Sequence, residues 1–500
     1  MTVVSGRTEG LQEPRAPYAG GLESLDREVE LASLPVEGRI PSWLRGTLLR
    51  NGPARFEVGE RGYNHWFDGL AMLHAFSLSG GEVGYRNRFV RSGSYREAEA
   101  KGRISRAEFG TDPCFGLFGR VMATFRPPVT DNANINVVRL AEGFAAMTET
   151  PLPIRFDPRT LETLGVVNYD DALKGTITTA HPHRDPETGD LYSYLTDFSL
   201  TSRYHLYRLA AGSRRRERIA SMEVQRPAYM HSFAMTARDL VLAEFPLVVN
   251  PVRLLTSGEP FIRNYRWEPG RGTRFQVFDR VSGEHRGTWR GPALFAFHHI
   301  NAFVDEEGAV VMDLAGYDDP RIIDFLYLES LRRGEPDFPR PTTWRIRLDP
   351  GGDGVERRVL SEQNIELPRV NESRVGRPYR YAWGTANRVR GHFTDALVKI
   401  DVTTGEASSW YREGCFPGEP VFVPRPQEKT AQGEAPAMDG GAAGSQQDAE
   451  DDGVLLSVVL DARASTSFLL VLDAATLSEE ARATVPHALP LGFHGAFYGS

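Results

Sequence analysis

Cysteine is nearly absent: the 500 residues include only Cys114 and Cys415. That excludes a disulfide framework and any zinc ribbon built from cysteine pairs, and it fits a reducing compartment. Long apolar runs are missing as well. No stretch reaches the roughly 18 consecutive apolar residues of a membrane-crossing helix, so none is expected. The opening residues, MTVVSGRTEG, lack the charged-then-apolar pattern of a signal peptide. Together these points lead to the expectation of a cytoplasmic protein, with peripheral contact at a membrane surface left open. Positive charge is not in excess either. A formal charge of −8 argues against the broad basic face that sequence-independent nucleic-acid binding requires, so no nucleic-acid partner is expected. Nor does any feature call for an obligate protein partner.

What the chain does have is a recurring β-turn-β pattern. Short β-rich runs flank turns rich in Asp, Pro, Thr and Gly in FDPRTLETLG from Phe156, HRDPETGDLYSYL from His183 and VFDRVSGEHRGTW from Val277. The pattern returns in FVDEEGAVVMDL from Phe303, IDVTTGEASSWY from Ile400 and VLDAATLSEEA from Val471. Asp suits such turns because its carboxylate caps backbone N–H groups, and Gly because it tolerates positive φ. Hairpins spread over the whole length, with few helical periods, indicate an all-β fold of many short strands. A β-propeller and two packed β domains both satisfy the pattern. The propeller is the expectation, because radial blades absorb this length in one domain (1–500) and leave a central axis for a site.

Two segments break the pattern. In DPCFGLFGRVMATFRPP, from Asp112 to Pro128, Phe115, Phe118, Met122 and Phe125 fall at helical spacing. The second segment, from Arg425 to Gly453, is polar, Gly/Ala-rich and acidic, and reads as a disordered loop inserted within the fold. Residues 1–30 read as a flexible N-terminal arm.

Twelve histidines occur, and four stand in unusual company. His181 begins AHPHRDPETG, His231 lies in AYMHSFAMT, His298 in LFAFHHINAF, and His494 in LGFHGAFYG. They are too far apart for a local chelate of the zinc-finger or HExxH kind. Only a fold that gathers distant strands, as a propeller axis does, could make one site of them.

The stretch LRNGPARFEVGERGYNHWFDGLAMLHAF, from Leu49 to Phe76, resembles a signature of the carotenoid cleavage oxygenase family. TAHPHRDPETG, MHSFAMT, FHHINAF and FHGAFYG follow in that family's order, so the likeness runs from about Leu34 to the C-terminus, the 425–453 insertion excepted. The resemblance implies a seven-bladed β-propeller with short helices and loops capping the face that bears an iron(II) ion. It implies His181, His231, His298 and His494 as ligands, leaving His183 and His299 to supporting roles. It also implies three glutamates behind the ligands: Glu149 in MTETP, Glu366 in IELPRVN and Glu419 in PGEPVFV. A metal-bound imidazole gives its other N–H to such a partner, which fixes tautomer and orientation. Three glutamates for four histidines leave one imidazole without a carboxylate, and in the family that is the first, here His181.

The implied reaction is cleavage of a carbon–carbon double bond in a lipophilic polyene by dioxygen, giving aldehydes or ketones, retinal among the products considered. Stilbene-cleaving relatives carry a lysine before the first glutamate. Here that position is Thr148, a candidate for the substrate pocket, and its identity argues against a phenolic substrate. The Asp112–Pro128 segment is similar to the animal β-carotene oxygenase and retinoid isomerase branch, where it contacts membrane. That makes Phe115, Leu117, Phe118, Met122 and Phe125 the candidate membrane contacts. Retinoid isomerohydrolysis on the same site, stilbene cleavage, and a non-enzymatic carotenoid carrier are the competing readings.

Overall fold

The structure, a computed structural model, describes residues 15–112, 130–199, 201–389, 391, 393–426 and 450–499. Seven larger antiparallel sheets of four to six strands succeed one another along these residues, with two short two-stranded ribbons beside them. They are the blades of a seven-bladed β-propeller, and the alternative of two packed β domains is set aside.

The expected turns fold as hairpins for the expected reason. In each, one Asp carboxylate accepts from backbone N–H groups just ahead of it: Asp157 from Arg159 and Thr160, Asp185 from Glu187 and Thr188, and Asp279 from Val281 and Ser282. Asp305, Asp401 and Asp473 repeat the motif. A residue at positive φ completes most of these turns; it is a glycine at Gly189, Gly283, Gly308 and Gly405, and a leucine at Leu161 and Leu477.

The ring closes at both ends of the chain. The C-terminal strand Gly495–Gly499 pairs with Gly46–Arg55, an early strand, and so completes the first blade. Val36–Gly38 adds to the free edge of the last blade, against Glu479–Val485. This double closure removes the open sheet edges that a linear array would expose. Apolar side chains fill the spaces between blades. One example is Trp383, whose ring stacks on Phe422 of the next blade with centroids 4.7 Å apart and planes 5° from parallel.

Two boundary expectations change. The described part of the 1–30 arm is packed: Tyr18 and Leu22 are fully buried, and a short 3₁₀ turn, Ala19–Leu22, is tied down by Ala16 N–H to Arg332 and by Leu491 N–H to Gly21. These partners are distant in sequence, so local composition could not announce them. Of the 425–453 insertion, residues 427–449 lie outside the described residues. Its two ends belong to the fold. Val421–Pro424 and Gly453–Asp461 pair as neighbouring strands, and Arg425 N–H bonds Asp452. Glu450 is buried, its carboxylate accepting the N–H groups of Arg380 and Tyr381. Lys399 pairs with Asp451. Glu450 and Asp451, at the end of the acidic stretch, are thus anchors.

Removing the Glu450 carboxylate would orphan two partly buried donors, each worth up to about 1–3 kcal/mol. Glu450→Ala is expected to lower stability by about 2–4 kcal/mol, read as a fall in thermal unfolding temperature, with metal content unchanged.

Candidate metal centre

Each of the four histidines sits where a strand begins or bends at the axis. His181 lies between Ile177–Thr178 and His183–Arg184; His231 precedes Ala234–Met235; His494 immediately precedes Gly495–Gly499. His298 lies inside Phe295–Val304, where the pairing register with Val310–Tyr317 shifts across it, between Ala296 and His299, and again between His299 and Asn301. In a regular strand adjacent side chains point to opposite faces, but this bulge lets Phe297 and His298 both face the central cavity.

Neighbouring blades hold one another through these loops. Thr179 Oγ1 accepts the His181 N–H (2.9 Å) and donates to the His231 carbonyl (2.6 Å). Ser232 Oγ donates to the Phe297 carbonyl (2.6 Å). His183 Nε2 donates to the Phe233 carbonyl (2.7 Å), and His299 Nδ1 lies 2.8 Å from Ser232 Oγ. These two histidines tie loops together and do not enter the cluster. Asn136, in TDNANINV, donates to the carbonyl of Ala180, next to His181. The Asn51 N–H bonds the His494 carbonyl, while its amide holds Ala133 and Asn136.

One ring nitrogen from each of His181, His231, His298 and His494 lies within 4.8 Å of the other three. The Nε2 atoms of His181 and His231 are 3.0 Å apart, and those of His298 and His494 are 3.3 Å apart. Three of the four Nδ1 atoms meet glutamates: His231 with Glu149 (2.7 Å), His298 with Glu366 (2.6 Å) and His494 with Glu419 (2.7 Å). No carboxylate among the described residues bonds His181. All seven residues singled out in the sequence are thus brought together, with the imbalance expected at His181.

The donor chemistry fits a cation. On His231, His298 and His494 a carboxylate accepts a hydrogen bond from Nδ1–H, so the Nε2 of each of these neutral rings carries a lone pair. Lone pairs converging at about 3 Å repel unless something electron-deficient stands among them. Protons are poorly suited to that place. Burial, then the neighbouring imidazoles, holds His181 well below its ordinary range. Burial likewise pushes His494 down to about 4 despite the pull of Glu419. Burial works to raise Glu366 and Glu419, but His298, Tyr317 and the Leu367 N–H beside Glu366, and Arg369, His494 and Arg50 beside Glu419, win, and both stay below the usual carboxylate range.

The glutamates differ in their other partners, which the sequence did not reveal. Tyr229 OH donates to Glu149 (3.0 Å) and Tyr317 OH to Glu366 (2.9 Å). Glu419 instead receives Arg369 through Nε (2.9 Å) and a terminal nitrogen (3.1 Å), together with Arg50 (3.2 Å) and the Gly495 N–H (2.9 Å). Leu367, beside Glu366, adopts φ +46°, a conformation costly for a branched side chain. There the strand register shifts again, and Glu366 and Leu367 both reach the cavity.

That cavity opens from the histidines between aromatic walls. Phe67, Phe297 and Phe493 stand closest to the imidazoles; Phe67 lies 6.4 Å from the His231 ring and 5.3 Å from Phe493. Farther along are Phe338 and Phe393, with Ile322 from the helix Ile322–Phe325. Asn132 and Asn134 donate to the carbonyls of Asp68, Phe67 and Gly69, which fixes the loop that carries Phe67. Thr148, expected in the pocket, is buried beside Glu149 and is not among the described residues lining this cavity. Phe115, Leu117, Phe118, Met122 and Phe125 lie outside the described residues.

Two outcomes follow. Glu366→Gln is expected to weaken metal binding by about 10–100-fold in a chelator competition, because His298 loses the anion that orients and polarises it. Metal should also be retained at pH 5.5. A free imidazole, with a pKa of about 6.5, is mostly protonated there, whereas His494, pushed down to about 4, and His181 stay neutral. Metal analysis after dialysis at that pH is the check.

Comparison with known proteins supplies independent ground. A ferret (Mustela putorius furo) protein named "Carotenoid-cleaving dioxygenase, mitochondrial" is 34% identical, the match covering 98% of this chain and 97% of that one. A rat (Rattus norvegicus) protein named "Beta,beta-carotene 15,15'-dioxygenase" is 32% identical over 94% of this chain and 89% of its own. The solved structure of a Synechocystis apocarotenoid oxygenase variant superposes with a TM-score of 0.84 at 28% identity, covering 98% of this chain and all of the other. One solved form of that oxygenase is cobalt-substituted. The family model described as retinal pigment epithelial membrane protein matches residues 22–499. The chain belongs to that family, the carotenoid oxygenases, whose motifs its sequence carries and whose propeller it folds into.

Proposed function

We propose that this chain is an iron(II)-dependent dioxygenase that splits a carbon–carbon double bond of a carotenoid or apocarotenoid into two carbonyl products. The observation that carries the reading is the convergence of four imidazoles, three of which line a cavity walled by aromatic rings. His181, His231, His298 and His494 would hold the ion, and Glu149, Glu366 and Glu419 would orient three of them. Iron(II), when bound, supplies the site at which dioxygen is activated. Imidazole donors suit several first-row metals, so the choice of iron rests on family resemblance. The names of the relatives support the substrate class.

The chain's own part is alignment and exclusion. Phe67, Phe297 and Phe493, with Phe67 edge-to-face against the other two, give an apolar wall beside the imidazoles against which a conjugated chain can pack and from which water is displaced. Holding one double bond next to the oxidant converts a bimolecular encounter into a local one, a gain that grows with the precision of placement. No general acid or base is required, because both oxygen atoms end in the two carbonyl products. The cytoplasmic location and the membrane contact rest on the sequence alone. No helix among the described residues is long and apolar enough to cross a membrane, and the ferret relative's name assigns that protein to mitochondria.

The test is incubation of the iron(II)-loaded protein with β-carotene, apocarotenals and a resveratrol-type stilbene under air and under nitrogen, with products identified by mass. Polyene-derived aldehydes that require oxygen are expected, and His298→Ala should reduce them to background. Turnover of a retinyl ester without oxygen uptake, or of the stilbene alone, would replace the reading.

A further inference from the structure

Three carboxylates stand behind the four imidazoles, and they are not equivalent. Beyond their histidines, Glu149 and Glu366 receive neutral donors among the described residues: the Tyr229 hydroxyl for Glu149, and the Tyr317 hydroxyl and Leu367 N–H for Glu366. Glu419 is held by two guanidinium groups. Arg369 grips both of its oxygens (2.9 and 3.1 Å) and also bonds the Gly495 carbonyl. Arg50 reaches one carboxylate oxygen (3.2 Å), the Glu419 carbonyl (3.2 Å) and the Phe493 carbonyl (3.0 Å). The two arginines therefore clamp the residues on either side of His494 as well as its carboxylate partner. Arg50 and Glu419 are buried, with 5% and 1% of their side chains exposed, so this charge is poorly screened.

Charge counting gives the arrangement a purpose. A carboxylate on the Nδ1–H of a ligand makes the imidazole a stronger donor and the site more negative. Three such carboxylates around a dication would favour loss of an electron from it. Two cations on one of them, Arg50 buried and Arg369 partly so, leave a single net negative charge around the ion and make His494 the least electron-rich of the three carboxylate-backed imidazoles. A metal that meets dioxygen in an open site and works in its divalent form gains from that counterweight.

We propose that Arg369, backed by Arg50, is a positioning residue whose charge, acting through Glu419 and His494, raises the reduction potential of the site metal and so keeps it divalent. The inference rests on the four-histidine metal reading and adds to it a distinct electrostatic role for a residue that touches neither metal nor substrate.

The experiment measures iron stoichiometry and the Fe(III)/Fe(II) midpoint potential by redox titration in the wild type, Arg369→Gln, Arg369→Lys and Tyr317→Phe. Arg369→Gln keeps a hydrogen-bonding group and loses the charge, so its potential should fall. Arg369→Lys keeps the charge without the two-pronged grip and should stay near the wild type. Tyr317→Phe, the smallest change and the safest for folding, removes a donor from Glu366 and should lower the potential by the same logic. A purely mechanical clamp would make the Gln and Lys variants behave alike. That result overturns the proposal, as does an unchanged or raised potential in Arg369→Gln or in Tyr317→Phe. A wild type that binds no iron overturns the metal reading itself, and this failure is distinguishable because it needs no variant.

Discussion

The structure is organised around a set of ionic and imidazole groups that could not be buried singly. Glu419 is almost wholly enclosed, and Glu149 and Glu366 are largely so. Removing a carboxylate from water costs several kcal/mol unless hydrogen bonds and opposite charge replace the lost hydration. Each glutamate meets that requirement with an imidazole N–H and a second donor, and each imidazole thereby presents a lone pair to the axis. The partners come from different blades, so the cluster exists only when the ring is closed. Closure depends in turn on the last strand, which follows directly from His494 and pairs with the strand that carries Arg50 and Asn51.

The regular propeller is interrupted where this cluster requires it. At His298 and again at Glu366 the strand register shifts, and Leu367 takes a left-handed conformation. Ordinary pleating would send one of each adjacent pair, Phe297 and His298 or Glu366 and Leu367, away from the cavity. The irregularities put a polar group and an apolar neighbour on the same side, so donor atoms and the apolar wall share one surface. Strain confined to such points is sustained by the surrounding hydrogen bonds. The asparagines of the 132–136 stretch play a similar part, supporting the loops of Phe67 and His181 by backbone contacts.

Much of this was legible in the chain. The Asp-led turns announced hairpins because the side chain that caps each turn lies next to the backbone it caps. The motifs around His181, His231, His298 and His494, with Glu149, Glu366 and Glu419, named the cluster by resemblance before any geometry was known. Tyr229 and Tyr317 were not legible, since a tyrosine in a β-strand most often packs in the core. Arg50 and Arg369 were not singled out, because only their common partner, distant on the chain, distinguishes them from other arginines. Glu450 and Asp451 looked solvated because they end a polar, acidic stretch, and Tyr18 and Leu22 were lost in a Gly- and Pro-rich lead-in.

By itself, the sequence determined what is local: strand and turn chemistry, the scarcity of cysteine, the identities of the donor residues and the family they mark. Tertiary structure alone decided which groups share a hydrogen bond across tens or hundreds of residues. Arg369 meets Glu419 and Gly495, Glu149 meets His231, and Phe67 stands over the imidazoles while Thr148 turns out not to line the cavity. The physical reason is that turn capping acts between near neighbours on the chain, whereas burial of charge is settled by whichever distant group the closed ring brings within about 3 Å.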